Sequence, residues 1–450
     1  MTKLVTAIAF AARMGVVLWA KSAIPPTADG SYYHKLATRI AAGSGYTWLW
    51  DDGVVTYAAH YPVGYPALIA PLYALFGGHA FLAMIVNAVL GTAATYALHR
   101  LVLQASSARL AFFAGLAMAL QPVLVPYTAA LMTEGVTASL LVIATALAAR
   151  AREEDVVRPF HWVLASGIVM GVCTLVRPQS LVLAPVLGWL ALGPRGIGKA
   201  LSATAVATVA ALLVCAPWTG RNCTRMERCA LVSVNGGWNL AIGTQTESGG
   251  WHEITVPEAC KTVFHEAKKD ECFEREARKV IVAHPMAWLR RAPAKLRVTF
   301  DYFGAAPWYL HTANAEAFPY RAKVVLGTIE TIASRLLLAA ALVSVFKMEG
   351  PLRRARKVIC AIGLVACVLV PGTIGYLALA LAILLLGKKK LERVPVIVPV
   401  TAIVIAATAI IHAVFFGAGR YGIVVVPFVT ALAFVRPSSR ERVLEGEQES

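Results

Sequence analysis

Charged residues are scarce in this sequence. Asp, Glu, Lys and Arg together make up 15% of the 450 residues, whereas hydrophobic residues make up 58%, and the mean hydropathy is +0.65. These values lie far outside the range of soluble domains. The composition therefore excludes an ordinary soluble protein and predicts an all-α polytopic membrane protein.

Motifs for nucleotide chemistry are also lacking. The sequence contains no Walker loop and no dinucleotide-binding fingerprint, and no internal repeat stands out. These absences argue against ATP hydrolysis by this chain. Three classes of function remain: a transporter, a structural or sensing protein, and an enzyme whose donor arrives already activated.

Long apolar runs dominate what is present. A membrane span needs roughly 17–25 predominantly apolar residues, and we count about twelve such runs. They cover approximately residues 4–21, 80–102, 109–127, 130–149, 160–176, 178–193, 199–217, 326–346, 357–371, 373–387, 395–416 and 421–435. Two long loops remain between them, at 22–79 and 218–325. We expect a single membrane domain over residues 1–437, followed by a polar tail at 438–450.

The formal net charge of +17 would indicate a nucleic-acid partner in a soluble chain, but here the basic residues orient the helices. They cluster in four short loops, which contain Arg150, Arg152 and Arg158; Arg195 and Lys199; Arg353, Arg354, Arg356 and Lys357; and Lys388, Lys389, Lys390 and Arg393. Each loop follows an even-numbered span. The positive-inside rule therefore places both termini in the cytoplasm of a cell inner or plasma membrane protein, and the two long loops on the external or periplasmic side. We expect the chemistry in these external loops.

A cleavable signal peptide is an alternative for residues 1–22. Lys3 precedes the apolar stretch, and Ala20-Lys21-Ser22 loosely resembles a cleavage site. We favour a retained first helix, because the stretch is long for a signal peptide and cleavage would detach the residues that follow from their anchor.

Cysteines occur both in the apolar runs and in the second long loop. The loop contains Cys223, Cys229, Cys260 and Cys272. Four cysteines in an oxidising compartment predict two disulfides. Of the three possible connectivities we favour Cys223–Cys229 and Cys260–Cys272, because both close short loops. A zinc site is the alternative, but the spacing lacks a tight Cys-x-x-Cys pair.

An acidic residue, Asp29, follows the first span directly. It precedes the run 32–40, whose apolar positions have the spacing of an amphipathic helix that would lie on the membrane. Asp29 is either the cap of that helix or a general base held at the depth of a lipid phosphate. Asp51 and Asp52, in contrast, lie in a turn after an aromatic segment and are interpreted as solvated.

The stretch Tyr61-Pro62-Val63-Gly64-Tyr65-Pro66 in the same loop is predicted to be non-helical, because two prolines and a glycine interrupt the hydrogen-bond ladder. Non-helical backbone at membrane depth is tolerated where it lines a cavity. We therefore expect Tyr61 and Tyr65 to line a cavity that faces the lipid.

Further ionisable residues are predicted at the outer ends of other spans. Glu134 lies at the start of the fourth span, where it is either a functional carboxylate or a residue that stabilises the helix dipole. Arg177, Arg221 and Arg420, the last followed by Tyr421, lie at corresponding ends of the fifth, seventh and final spans. Guanidinium groups in these places would bind and stabilise a phosphate leaving group. For Arg177 the alternative is a side chain that only snorkels to the membrane interface.

The order of these motifs resembles bacterial glycosyltransferases of the C-type fold. The motifs are Asp29, Tyr-Pro-Val-Gly-Tyr-Pro, Thr-Glu-Gly, Val-Arg-Pro, Pro-Trp-Thr-Gly-Arg-Asn, Asn235-Gly236-Gly237-Trp238-Asn239-Leu240-Ala241-Ile242-Gly243 and Gly-Arg-Tyr. The chain is most similar to the family-39-like group, which includes protein O-mannosyltransferases and the aminoarabinose transferase that acts on lipid A. The resemblance covers approximately residues 1–437.

The resemblance implies a polyprenyl-phosphate sugar donor, inversion at the anomeric carbon and Asp29 as the catalytic base. It implies that Glu134 is a second carboxylate near the acceptor or a divalent metal ion. Two departures stand out: the usual Tyr-Pro-Pro-Gly is Tyr-Pro-Val-Gly here, and Gly30 replaces the second acid of an acidic pair. The second departure weakens the case for a metal, and no residue is assigned as a metal ligand.

The sequence is therefore interpreted as an integral membrane glycosyltransferase with its active site on the external face. A sugar would pass to a lipid, glycan or protein acceptor, with the second long loop and its amphipathic run 273–281 as a small lid. A transporter or flippase of lipid-linked saccharides is the alternative. Transporters usually place ionisable residues near the bilayer midplane and contain internal repeats, whereas the candidates here gather at helix ends.

Overall fold

The computed structural model describes residues 1–369 and 372–436. Its α-helices are α1 (Thr2–Ala23), α2 (Asp29–Ala41), α3 (Gly64–Phe76), α4 (Ala80–Ala105), α5 (Ala108–Ala119), α6 (Thr133–Arg152), α7 (Pro159–Val176), α8 (Leu183–Leu192), α9 (Ile197–Arg225), α10 (Gly236–Gln245), α11 (Glu258–Lys261), α12 (Glu266–Ala283), α13 (Pro285–Arg290), α14 (Ala292–Phe300), α15 (Ala305–Ala313), α16 (Tyr320–Phe346), α17 (Arg353–Leu369), α18 (Gly372–Leu384), α19 (Lys388–Leu391), α20 (Ile397–Val414) and α21 (Val426–Ala433). Short 3₁₀ helices cover Pro126–Ala129, Pro178–Val182, Gly193–Arg195 and Gly419–Val425. Strands β1 (Thr47–Leu49) and β2 (Val55–Tyr57) form an antiparallel hairpin. The predicted tail at 438–450 lies outside the described residues.

Within the described ranges, seven helices are long and apolar enough to cross a membrane: α1, α4, α6, α7, α9, α16 and α20. Shorter apolar helices include α3, α5, α18 and the segment Gly419–Ala433. Each of the predicted apolar runs contains a helix. The predicted all-α, multi-pass membrane fold is thus confirmed, although several runs hold a helix shorter than a full span.

One local prediction was wrong. The stretch 61–66 was expected to be non-helical, but α3 begins at Gly64 and includes Pro66 in its first turn. A first turn tolerates proline because its N–H groups have no intrahelical acceptor. Glycine is needed at position 64, since an added Cβ would lie 2.4 Å from the backbone nitrogen of Val176. The start of α3 is therefore pressed against the end of α7.

Small residues allow the spanning helices to approach closely. On α7, a Cβ added at Gly167 or Gly171 would lie 2.6 Å or 2.8 Å from the carbonyl oxygens of Ala207 and Ala211 on α9. Close backbone contact through small residues is a common way for helices to associate in lipid, where hydrophobic burial between them contributes little. This packing fixes the end of α7, which leads into Arg177.

The two ends of the helix bundle differ. At one end the short basic loops contact each other, because Arg152 donates to the carbonyl of Glu392 and Arg195 to that of Glu153. At the other end the two long loops pack together. There Glu266, the first residue of α12, accepts hydrogen bonds from the indole of Trp48 and from the backbone N–H of Ala59, at 2.5 Å and 2.7 Å.

Both predicted cysteine pairs lie at bonding distance in the second long loop. Cys223 is joined to Cys229, and Cys260 to Cys272. The pair Cys260–Cys272 ties α11 to α12 and is buried in a small core with Phe273 on α12. The loop is therefore a covalently braced layer over the helix ends.

Candidate active site

A cavity of about 430 Å³ lies where the helix ends meet the two long loops. Its lining includes six of the eight site residues predicted from the sequence, namely Asp29, Tyr61, Glu134, Arg177, Arg420 and Tyr421. These residues come from five separate places along the chain, since Arg420 and Tyr421 are adjacent, so only the fold brings them together. Tyr65 and Arg221 do not line it.

Asp29 is the first residue of α2, and its side chain does not cap the helix. Instead one carboxylate oxygen, Oδ2, accepts from Nη1 of Arg420 at 2.7 Å. The preceding Ala28 has a φ of 49° and a ψ of −136°, a backbone conformation that side-chain-bearing residues rarely adopt. About a third of the Asp29 side chain, 32%, stays exposed to the cavity. The carboxylate is therefore held in place yet accessible.

Glu134 forms a buried ion pair with Arg177. The carboxylate oxygen Oε1 lies 2.8 Å from Nη1 of Arg177, and the two side chains are only 2% and 12% exposed. The hydroxyl of Tyr127 donates to the other oxygen at 2.9 Å, and Nε of Arg420 lies 3.6 Å from Oε1. A buried charge is tolerated only when it is paired and hydrogen-bonded. Glu134 thus neutralises Arg177 and lies beside Arg420.

Tyr421 forms an aromatic face for both arginines. The guanidinium carbons of Arg177 and Arg420 lie 4.9 Å and 5.1 Å from the centre of its ring. His412 stacks on the same ring, with centroids 4.2 Å apart. Rings that flank a guanidinium group restrict its motion and favour the cation electrostatically. The two arginines are therefore presented to the cavity in defined positions.

Two further tyrosines form the wall next to Asp29. Tyr33 on α2 packs edge-on against Tyr61, with centroids 5.3 Å apart. Burial, followed by the nearby charge of Asp29, raises the pKa of Tyr33 and of Tyr61 well above the usual value. Both hydroxyls consequently remain protonated and able to donate a hydrogen bond at neutral pH.

The structure places two predicted site residues elsewhere. Arg221 lies inside α9, which continues to Arg225, and donates to the carbonyl oxygens of Ala58 and Tyr46 at 2.8 Å and 2.9 Å. It braces the first long loop instead of reaching the cavity. Tyr65 is fully buried behind Tyr33, with ring centroids 5.7 Å apart, and supports the cavity wall from within.

Several cavity residues were not predicted as site residues. The most prominent group consists of Asn235, the N-cap of α10, together with Trp238 and Asn239 on that helix. The motif from Asn235 to Gly243 contributed to the resemblance described above, but its side chains had no assigned role. The sequence feature that could have identified these site residues is the regular spacing of indole and amide side chains on a short helix.

Helix α12 holds this group in place. Asp270 accepts from the backbone N–H of Trp238 at 3.0 Å and from Nη1 of Arg228 at 2.9 Å. Glu266, one helical turn earlier, also accepts from the backbone N–H of His60 at 3.0 Å, beside Tyr61. One helix therefore positions cavity residues from both long loops.

No metal centre is apparent in the described part of the chain, where no group of three or more His, Cys, Asp or Glu side chains has the arrangement of a metal site. Both carboxylates that line the cavity are instead paired with arginine. The residues present thus do not fit a divalent metal site, and we assign no step to a metal.

Residues 60–220 match the family model described as dolichyl-phosphate-mannose-protein mannosyltransferase. The match supports the predicted resemblance to glycosyltransferases over residues 60–220. The matched region contains Tyr61, Glu134 and Arg177, whereas Asp29 and Arg420 lie outside it. No curated protein matches the chain significantly.

Several solved structures are similar to this chain. The archaeal oligosaccharyltransferase AglB from Archaeoglobus fulgidus, in complex with an inhibitory peptide and a dolichol-phosphate, has 14% identity and a TM-score of 0.42, over 98% of this chain and 52% of that one. The Archaeoglobus fulgidus oligosaccharyltransferase in its apo form has 14% identity and a TM-score of 0.48, over 96% of this chain and 50% of that one. ArnT from Cupriavidus metallidurans, bound to undecaprenyl phosphate, has 15% identity and a TM-score of 0.43, over 98% and 79%. The chain thus spans about half the length of the oligosaccharyltransferases that it matches.

Proposed function

We propose that this chain is an integral membrane glycosyltransferase. It transfers a sugar from a polyprenyl-phosphate donor to a lipid, glycan or protein acceptor, with inversion at the anomeric carbon. The observation that carries the proposal is the arrangement of Asp29, Arg177 and Arg420 in one cavity at the ends of apolar helices. The family match supports the class of donor.

Asp29 is the proposed general base. Its Oδ2 is bonded to Arg420, whereas Oδ1 forms no hydrogen bond with another described residue and is free to accept a proton. The acceptor hydroxyl attacks C1 of the sugar as the bond from C1 to the phosphate oxygen breaks. The hydroxyl proton passes to Asp29, and the electron pair of the broken bond leaves with the polyprenyl phosphate. A single displacement of this kind inverts the anomeric carbon.

Arg177 and Arg420 are the proposed phosphate contacts. Charge grows on the phosphate as the bond breaks, and fixed guanidinium groups stabilise that charge. Tyr61 and Tyr421 line the same cavity and offer hydroxyl groups there. Glu134 is 2% exposed and bonded to Tyr127 and Arg177, so we assign it the positioning of the two arginines in place of direct contact with an acceptor or a metal.

The membrane orientation follows from charge. The basic loops belong on the cytoplasmic side by the positive-inside rule, which puts the cavity at the opposite, external face. A cavity at the helix ends allows the polyprenyl chain to remain in the bilayer while its phosphate reaches Arg177 and Arg420. A flippase remains the alternative function and is separated from transfer by the experiment below.

The test is the transfer of radiolabelled sugar from a panel of polyprenyl-phosphate sugars by membranes that contain the wild type or Asp29→Asn, with total lipid, glycan and protein as acceptors. Removal of a general base lowers the rate by about 10²- to 10⁴-fold, so we expect transfer to fall to background while expression persists. Asp51→Asn is the matched control, because Asp51 is exposed and lies outside the cavity.

Transfer by Asp29→Asn at the wild-type rate would contradict the assignment of the base. If the wild type forms no labelled product and lipid-linked sugar moves between leaflets, the function is that of a flippase and not of a glycosyltransferase.

A further inference from the structure

Helix α10 presents one face to the cavity. Asn235, Trp238, Asn239 and Ile242 all line the cavity. Their positions correspond to i, i+3, i+4 and i+7, the spacing of residues that share one face of a helix. The face combines an indole, two carboxamides and an aliphatic group, and it carries no charge.

The opposite faces of α10 are fixed by close backbone contacts. A Cβ added at Gly237 would lie 1.9 Å from the carbonyl oxygen of Asp270, and one at Gly243 would lie 2.2 Å from that of Phe415. Only glycine allows the helix to fit between these two segments. The glycines of the motif thus set the depth at which the polar face of α10 enters the cavity.

The indole of Trp238 is also fixed. Its ring packs edge-on against Phe273 and His60, with centroid distances of 4.9 Å and 5.9 Å. The backbone N–H of the same residue is bonded to Asp270. A rigid aromatic group loses little conformational entropy when a ligand packs on it.

The amides of α10 have hydrogen-bonding capacity left over. The Asn239 side chain forms no hydrogen bond with another described residue, and the Asn235 side chain forms only one, in which its Oδ1 accepts from Ser233. A carboxamide both donates and accepts, which matches the hydroxyl groups of a sugar. An indole packs well against the apolar C–H face of a pyranose or furanose ring.

We propose that the Asn235, Trp238 and Asn239 face of α10 is a binding subsite for a neutral saccharide, an inference that rests on the proposed function. Neutrality follows from the remaining charges of the cavity. Asp29 and Glu134 are bonded to arginines of the charged wall, and the face of α10 has no carboxylate of its own to hold an amino sugar. The saccharide is either the sugar of the donor or a glycan acceptor, since both offer the same hydroxyl and C–H groups.

The first arm of the test measures binding to the full-length purified protein. The probes are undecaprenyl phosphate and its conjugates with mannose, with an amino sugar and with a uronic acid. Loss of a stacking partner or of hydrogen bonds in Trp238→Leu and Asn239→Ala is expected to weaken binding of the mannose conjugate about tenfold. Binding of undecaprenyl phosphate alone should stay within about twofold. Trp50→Leu is the matched control, because Trp50 is 53% exposed and outside the cavity.

The second arm locates the sugar. If both variants bind the mannose conjugate normally but their KM for a neutral glycan acceptor rises about tenfold, the subsite belongs to the acceptor. The subsite is refuted if neither quantity changes, if bare carrier and conjugate weaken equally, or if the charged sugars bind more tightly than mannose. Failure of the wild type to bind any carrier would instead overturn the proposed function.

Asn239→Ala keeps the test valid if Trp238→Leu does not fold. Asn239 is partly exposed and has no packing role comparable to that of the indole. If the Asn239→Ala variant elutes as a monodisperse protein with both disulfides formed, a change in its binding arises at the subsite.

Discussion

The two walls of the cavity are built in different ways. The charged wall, formed by Asp29, Glu134, Arg177 and Arg420, lies at the ends of helices and at the 3₁₀ helix Gly419–Val425, and its charges neutralise one another. The neutral wall, formed by the face of α10, belongs to the second long loop and is held by α12 and a disulfide. Charge is thus carried by helix ends and by a short 3₁₀ helix, and uncharged recognition groups by the second long loop.

The difference has a physical reason. A charge near the bilayer must be paired before the ligand arrives, because an unpaired buried charge costs several kcal/mol. Rigid helix ends can hold such pairs in register. Neutral indole and amide groups carry no comparable cost, so they can lie on a segment whose own position depends on covalent links and a few hydrogen bonds.

Two arginines that look alike in sequence provide the largest expected contrast. Arg420→Gln removes the bond to Asp29 and a proposed phosphate contact, so we expect transfer to fall about 10²- to 10³-fold. Arg221→Gln removes two bonds to loop carbonyls, so it should lower stability by about 2 kcal/mol and leave the donor KM of the folded protein unchanged. Transfer assays and thermal unfolding of both variants check this.

If the donor KM rises more in Arg221→Gln than in Arg420→Gln, Arg221 is a phosphate contact, as the sequence predicted. That result would also mean that the charged wall extends beyond the four residues described here.

The disulfides provide the next contrast, because Cys260–Cys272 joins α11 to α12, the helix that holds the neutral wall. Removal of the Cys260–Cys272 link by a double alanine variant should lower the free energy of unfolding of this layer by about 2–4 kcal/mol. The loop closed by Cys223–Cys229 is half as long, with a separation of 6 residues against 12, so its removal should cost about 0.6 kcal/mol less on loop-closure entropy.

Two measurements on these variants distinguish the two walls. One is limited proteolysis of the second long loop between the end of α9 and the start of α16, at residues 226–319, and the other is binding of undecaprenyl phosphate. We expect faster cleavage of the loop together with unchanged binding of the bare carrier phosphate. Loss of carrier binding in step with loop cleavage would show that the charged wall depends on the loop layer as well.

Local signals in the sequence predicted much of this architecture. Apolar runs located the helices, and the short separation of cysteines indicated the correct pairs. The start of α3 was missed, because proline was treated as a helix breaker although the first turn tolerates it. The predicted apolar run 199–217 covers only part of α9, since this helix continues through Pro217 to Arg225.

Contacts between distant segments could not be predicted in the same way. Arg221 and Arg420 share the same local signal, an arginine near the end of a span, and only the packing of Arg221 on the first loop separates them. The role of α10 depends on where Asp270 and Phe415 approach Gly237 and Gly243. No feature of the motif itself reveals those approaches.

The smallest expected effect concerns the strain next to Asp29. Ala28 adopts a positive φ of 49°, which costs about 1–2 kcal/mol for a residue with a Cβ but not for glycine. Ala28→Gly relieves this cost and adds entropy to the unfolded chain, so we expect a net stabilisation of about 1 kcal/mol or less and a small rise in Tm. Transfer should remain within about twofold of wild type, because Arg420 still orients Asp29. A lower Tm in Ala28→Gly would show that Ala28 is unstrained. A transfer rate that falls more than about twofold while Tm does not fall would show that the rigid backbone, rather than the ion pair, orients the base.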